Sequence, residues 1–494
     1  LLTWEKPEPI RRVLALHASQ RSTSNTLAFW ELVRRALPPE MEPICDSRGE
    51  VKDKIFVCIK GGCHDGHTDA AGVLRRGAAA IVTQKKLGLP REYTVPDTRA
   101  ALTRLCARYW GEPARKLRLI GITGTNGKTT TAHLLCHLLQ SAGIKTGRIG
   151  TDGIVWGEKT QPNPYTTPPP TELHRILHQM VEDGITTVVM EVSSQALEQR
   201  RVEGITFAAA VFTNLSPEHL DYHGDMERYF ASKAKIFSQC RCAVINTADP
   251  YGRRLLDRAN VPISGYHLPW QYRCEPGRSI LPWRGGQLIV PLTGEVFLPD
   301  ALAAAETALV LGLTSRQVMA AMPQCPPVPG RAELLWQGMG RTILRDYAHT
   351  PDALERILRS LRRVHKGRLL VLFGCGGDRD RQKRPLMAKA AARWADGIII
   401  TDDNPRNEAP EAIRREIVVG LPKNTRWREV PDRRQAIEQT IAMMRQGDLL
   451  LLAGKGHEDY QIIQNKTIPF DERKIVTEIL KSGRIPWKNC HCEK

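Results

Sequence analysis

Residues 119–131 read Leu-Ile-Gly-Ile-Thr-Gly-Thr-Asn-Gly-Lys-Thr-Thr-Thr. A short apolar run, a glycine turn closing on Gly-Lys-Thr and the start of a helical pattern are the parts of a phosphate cradle. Loop N–H groups and the positive helix end point at the anion. In that reading Gly124, Thr125, Asn126, Gly127 and Thr130 line the phosphates of ATP. Lys128 reaches the β- and γ-phosphates and the Thr129 hydroxyl ligates Mg²⁺. The motif is a shortened form, G-x-x-G-K-T, because Ile122 stands where the general pattern has its first glycine. An ordinary strand–helix turn is the plain alternative. The placement of Gly-Lys-Thr at the junction argues against it.

Two further groups suit the same chemistry. Thr187–Met190 reads as a buried strand, and Glu191 sits at its C-terminal end, where a carboxylate faces the ligand crevice of an α/β sheet and suits Mg²⁺. Val328-Pro-Gly-Arg331 reads as a linker. Its Arg331 is a cation that meets the ATP phosphates when the flanking parts close. The strand 341–345 leads to Asp346, placed on the ATP side, and Pro351 opens a helix in a favoured first-turn position.

These groups need rigid elements behind them. Length supports about three domains at roughly 150 residues each. Strand and helix patterns alternate through 116–329, which predicts a mostly parallel sheet under helices. Hydrophobic content is 41%, enough for ordinary cores. No apolar run reaches the ~18 residues of a membrane span, so no membrane partner is expected. The 12 cysteines form no CxxC pair, which argues against zinc and for reduced thiols. The net charge is +18. No aromatic-interleaved basic patch accompanies it, so an anionic substrate explains the charge better than nucleic acid. Residues 1–39 carry no motif and read as a docking segment or the remnant of a targeting one, with the true start missing.

The variant Gly-Thr-Asn-Gly-Lys-Thr-Thr-Thr, followed by Asn-Leu-Ser-Pro-Glu-His-Leu-Asp-Tyr-His-Gly (214–224), Asp-Tyr-Ala-His-Thr-Pro (346–351) and Asp-Asn-Pro-Arg (403–406), resembles the Mur ligases, the ATP-dependent amide-forming enzymes of peptidoglycan synthesis. The resemblance runs from about Ile44 to Glu478. It implies an α/β fold of three domains: a small N-terminal α/β UDP-binding domain (1–115, with 1–40 an extension), a central P-loop ATPase domain with a mostly parallel sheet (116–329), and a C-terminal Rossmann-like α/β domain (330–494). By the same resemblance Ser47 and the loop Gly62, Cys63, His64 touch the UDP moiety. Thr166, Thr167, Ser193, Gln199 and Arg201 contact the muramoyl-peptide. Asn214 lies on the nucleotide side and His219 helps bind a second Mg²⁺. Lys233 takes up CO₂ as a carbamate, an oxygen ligand for Mg²⁺, and Tyr229, Phe230 and Phe237 would keep its amine neutral by desolvation. Arg379 grips the carboxylate of the incoming amino acid, and Gly454 and Glu458 complete that site. Asp403, Asn404, Pro405 and Arg406 imply meso-diaminopimelate, whose far carboxylate a guanidinium fork can hold.

The expected activity is therefore ATP-dependent addition of meso-2,6-diaminopimelate to UDP-N-acetylmuramoyl-L-alanyl-D-glutamate through an acyl phosphate, by a cytoplasmic monomer, or in an organellar stroma if the N-terminus is a processed remnant. A lysine-adding relative, a folylpolyglutamate synthase-like ligase and a catalytically silent scaffold are the competing readings. Gln195, Phe297 and Asp300 depart from the resembled pattern, which has His at the first place and Asn at the other two.

Overall fold

The computed structural model describes residues 37–482 apart from 38, 63, 276 and 465. The expectations for residues 1–36, for Cys63 and for the C-terminal tail from 483 lie outside the described residues. Two compact units are present. One takes in the described residues up to Lys116 with Pro168–Asp183 and Ala196–Ile205, and the other comprises Leu117–Thr167, Gly184–Gln195 and the described residues from Thr206 onward.

The first unit is built on a parallel sheet of β1 (Pro43–Ile44), β2 (Ile55–Val57), β3 (Ala80–Thr83) and β4 (Glu92–Thr94), in that spatial order. Successive side chains of a strand point to opposite faces. Ile55, Val57, Ala80 and Val82 therefore meet Leu102 and Leu105 of helix Thr98–Tyr109 on one face. Phe56 and Ile81 meet Val73 of helix Ala70–Arg75 on the other. Asp97 starts the longer helix by accepting the N–H groups of Arg99 and Ala100. The later segments of this unit are tied to the same helix. Arg200 pairs with Asp97 at 2.6 Å, Arg104 with Glu203 at 3.1 Å, and the Thr103 hydroxyl donates to the Arg200 carbonyl at 2.8 Å.

The second unit carries two large sheets. The first joins β5 (Arg118–Thr123), β6 (Thr146–Gly150), β7 (Gly153–Trp156), β8 (Lys159–Gln161), β9 (Thr187–Glu191), β10 (Ala209–Phe212), β11 (Ala243–Asn246) and β12 (Ile263–Tyr266). Their order is β12-β11-β10-β5-β9-β6-β7-β8, with every pairing parallel except β6–β7 and β7–β8 at one edge, where β7 alone runs in reverse. A small antiparallel sheet of β13 (Arg273–Glu275), β14 (Arg278–Trp283) and β15 (Gly286–Val290) follows. The second large sheet joins β16 (Glu333–Gly338), β17 (Arg341–Asp346), β18 (Leu369–Phe373), β19 (Gly397–Ile400), β20 (Trp427–Glu429) and β21 (Leu449–Ala453). Its order is β16-β17-β21-β18-β19-β20, with only β16 antiparallel. A hairpin of β22 (Tyr460–Ile463) and β23 (Lys466–Pro469) follows.

Every residue of β9, β10, β18 and β21 is buried, as parallel strands covered on both faces require. One apolar core runs from Ile120, Val189 and Val211 through helices Leu298–Val310 and Pro351–Val364 to Leu344, Val371 and Leu451. Two sheets thus share one core, which is why the stretches on either side of residue 330 form a single compact unit. The expected α/β fold with mostly parallel sheets is what the chain adopts. Among the described residues no helix is long and apolar enough to cross a membrane.

Candidate active site

The loop after β5 turns sharply and delivers Lys128 as the first residue of helix Lys128–Ser141. Gly124 and Gly127 have φ of +147° and +87°. A Cβ at Gly124 would overlap the Thr213 hydroxyl, and one at Gly127 the Asp300 carboxylate. Asn214, at the C-terminal end of β10, is the template for this turn. Its Oδ1 accepts the Asn126 N–H at 3.0 Å, its Nδ2 donates to the Asn126 carbonyl at 3.0 Å, and its own carbonyl accepts the Thr125 N–H at 2.8 Å. Lys128 Nζ donates to the carbonyls of Gly124 and Thr125 at 2.9 and 2.7 Å, which stations the ammonium at the mouth of the loop.

Lys233 approaches the same loop, its Nζ donating to the Gly124 carbonyl at 2.8 Å. The residue is 2% exposed and its nitrogen lies 4.7 Å from the Tyr229 ring centroid. Burial, and then the Lys128 charge, push the amine far below the usual lysine range, with Glu218 offsetting part of it. Glu218 is half-buried, which raises its carboxyl, yet His219, Lys128, His349 and Lys233 outweigh that and hold it low. His219 has φ +55° and its Nε2 stands 3.9 Å from Glu218. Burial pulls its imidazole down and Glu218 partly restores it.

Glu191 ends β9 fully buried. One oxygen accepts the Thr129 hydroxyl at 2.8 Å and the Thr151 N–H at 3.1 Å, and the other the Thr151 hydroxyl at 3.2 Å. Thr151 also shares a hydrogen bond of 3.1 Å with Thr166. The turn that carries Thr151 is pinned by its neighbour Asp152, hydrogen-bonded to His133 at 2.5 Å and paired with Arg148. Thr167 donates to the Glu191 carbonyl at 2.9 Å and accepts the Ser193 N–H at 3.0 Å.

A cavity of about 490 Å³ joins these groups to the second sheet. Thr125 to Thr130, Thr166, Glu191, His219, Arg331, Asp346, Arg379 and Glu458, all marked out in the sequence, line it. Asn126 Nδ2 and the Ser216 hydroxyl both donate to Asp352 in the first turn of helix Pro351–Val364, at 3.2 and 3.3 Å, and so hold the cavity walls together. Arg331 lies 5.1 Å above the Tyr347 ring, and the Tyr347 and His457 rings pack at a tilt with centroids 4.9 Å apart. Asp346 contributes less directly than its place in the motif suggests. Its oxygens accept the Ala332 and Ala348 N–H groups at 2.7 and 2.9 Å, which shapes the backbone around Arg331.

At the far end of the cavity Arg379 is exposed, with its guanidinium on the Asp378 carbonyl at 3.2 Å. Behind it Arg406, at φ +50°, donates to the Gly377 carbonyl at 2.9 Å. Its backbone pairs with the hairpin through Ile462 and Gln464, which maintains the left-handed turn. Pro405 accompanies it, since its carbonyl faces Gly377 where a side chain would collide. Asn404 donates to Glu458 at 2.9 Å. Lys455, fully buried, donates to Asn404 at 3.1 Å and the Tyr460 carbonyl at 2.7 Å, and stands 3.2 Å from Asp403. Gly454 adjoins the Asp403 carboxylate. Burial and then Asp403 push the Glu458 carboxyl up, against Lys455, Asn404 and Arg406. Such a carboxyl suits an incoming ammonium group, whose charge would favour its ionised form.

The residues expected on the UDP-substrate side divide between the two units. Ser47 donates to Asp69 at 2.6 Å, and His64 bonds the same carboxylate oxygen at 2.8 Å, beside Gly62. Gln199 accepts from Arg201 at 2.8 Å. These belong to the first unit, whereas Thr166, Thr167 and Ser193 belong to the second. Sequence reasoning passes over Thr151, Asp152, Tyr347, Asp352 and Lys455. Tyr347 carried a local signal inside Asp-Tyr-Ala-His-Thr-Pro, and Lys455 inside the Gly-Lys-Gly-His-Glu turn after an apolar run.

Comparison with known proteins accords with this geometry. Residues 122–307 match the Mur ligase middle domain, and residues 330–456 match the Mur ligase glutamate ligase domain. The UDP-N-acetylmuramoyl-L-alanyl-D-glutamate–2,6-diaminopimelate ligase of Geobacillus thermodenitrificans is 39% identical over 94% of this chain and 99% of its own length. A solved structure bearing the same enzyme name is 33% identical with a TM-score of 0.66, over 89% of this chain and 94% of that one. The MurF ligase of Thermotoga maritima in complex with ADP shares the fold at 18% identity, with a TM-score of 0.58 over 90% and 98% of the two chains. With two domain models in register and such identity over nearly its whole length, the chain belongs to the Mur ligase family.

Proposed function

We propose that the protein uses ATP to join meso-2,6-diaminopimelate to the D-glutamyl carboxyl of UDP-N-acetylmuramoyl-L-alanyl-D-glutamate. The observation that carries this reading is the single cavity lined by Lys128, Glu191 and Arg331 at one end and by Arg379 and Glu458 at the other. The substrate carboxylate attacks the γ-phosphorus. The new O–P bond forms as the bond to ADP breaks, giving an acyl phosphate. The amino acid's neutral amine then attacks the acyl carbon, the C–O bond to phosphate breaks, and the amine sheds a proton. Activation is needed because a carboxylate resists nucleophiles. The side chains supply position and charge.

Lys128 and Arg331 stabilise the transferring phosphoryl group. Glu191 and Thr129 offer oxygen donors of the kind Mg²⁺ takes, and the ion would supply charge neutralisation between the phosphates. Lys233 fits a carbamate, since its depressed amine supplies the neutral form that CO₂ requires. Ser47, the loop at Gly62–His64, Thr166, Thr167, Ser193, Gln199 and Arg201 hold the UDP-muramoyl dipeptide. Arg379 takes the amino acid's near carboxylate, Arg406 the far one, and Glu458 an ammonium.

Phosphate release with the UDP-muramoyl dipeptide tests the reading. Release should require diaminopimelate, and a protein that releases none with every reactant and Mg²⁺ present is not this ligase. Substituting Arg406→Lys keeps the charge and the strained backbone but loses the planar fork. The ratio of kcat/KM for diaminopimelate over lysine should then fall about 10- to 100-fold. An unchanged ratio would assign the choice of amino acid elsewhere.

A further inference from the structure

We propose that nucleotide binding at the Gly124–Thr130 loop takes up a proton at the Asp300 carboxyl, so that the protein holds its nucleotide with Asp300 neutral. The inference rests on the reading of that loop as the ATP site. Asp300 lies in the first turn of helix Leu298–Val310, is 6% exposed and lines the cavity. Its carboxylate presses on Gly127 so closely that no Cβ fits there. It is therefore a buried acid placed against the loop that a polyphosphate would use.

The groups facing it come from four directions. Thr130 bonds it and Lys128 adds charge from the loop helix, Arg331 acts from the linker, Arg356 from helix Pro351–Val364, and the Tyr266 phenol from β12. Burial outweighs these cations and raises the carboxyl to about 6. A nucleotide changes the balance in one direction. Its phosphates bring negative charge beside the carboxylate, and they draw on Lys128 and Arg331, the cations that had favoured ionisation. In a dry site two anions in contact are avoided by protonating one of them. An amide at this position would have no proton to exchange.

The sign follows from linkage. Above pH 6 the free protein is mostly ionised at Asp300 while the complex is mostly protonated, so nucleotide affinity falls as pH rises. The test uses the full chain and ADP, titrated calorimetrically at pH 7.5 in two buffers of different ionisation enthalpy. Wild type should take up at least about half a proton more per ADP than Asp300→Asn or Asp300→Ala. Between pH 7 and 8.5 its affinity should fall about fivefold more than theirs. Two variants guard against a folding failure in either. ADP bound with equal proton uptake by wild type and variants would overturn the inference and leave the ATP site intact. Absence of ADP binding by wild type would overturn both.

Discussion

Replacing Lys128 by alanine should lower kcat for phosphate release by about a thousandfold or more, with the fold intact. The ammonium is held at the loop mouth by two carbonyls, those of Gly124 and Thr125. Asn214 and Thr213 hold the same loop independently of Lys128, so its shape should survive the substitution. A single preorganised donor aimed at developing charge is worth roughly 10²–10³ in rate, and a cation on a transferring phosphoryl group still more. Single-turnover measurement of ADP formation gives the number, and a thermal melt near that of wild type excludes unfolding. A loss under tenfold would mean that Lys128 braces its loop and does not meet the phosphates.

Lys233 should matter about as much, for a different reason. The side chain spends a buried amine on a single carbonyl, that of Gly124. Burying an ammonium costs free energy that one neutral acceptor does not return, and the amine is accordingly driven toward its neutral form. As a carbamate the group would become an anion with two oxygens near Lys128, a better partner for that charge. Substituting Lys233→Ala should cost about a hundredfold to a thousandfold in kcat. Wild type stripped of CO₂ should lose activity and regain it with bicarbonate, while the alanine variant should not respond. A variant at full activity, or a wild type indifferent to bicarbonate, would dismiss the carbamate.

Much of this arrangement could be read along the chain because it is local. Strand, glycine turn and Gly-Lys-Thr lie within thirteen consecutive positions, 119–131, and the first helical residue proved to be Lys128 itself. Glu191 could be placed because a strand's last residue has only one crevice to face. Contacts made by residues far apart were not legible. Thr151 holds Glu191 across forty positions, and Lys455 reaches Asn404 across fifty-one. Helix Leu298–Val310 starts two residues before Asp300, with Pro299 in a first turn where its missing N–H goes unneeded. Lys233 is unremarkable by composition and periodicity as a helical lysine; resemblance alone marked it in the sequence, and its 2% exposure supplies the physical reason.

The first unit is assembled from three separate stretches of chain, and that bears on any attempt to divide the protein. A fragment ended at Lys116 keeps the four-stranded sheet but gives up the partners of Asp97, Thr103 and Arg104, which arrive about a hundred positions later. Chimaeras between relatives that exchange only the N-terminal third would inherit the same fault. The exchangeable module is discontinuous, and swapping it cleanly takes the inserted segments along with the leading one.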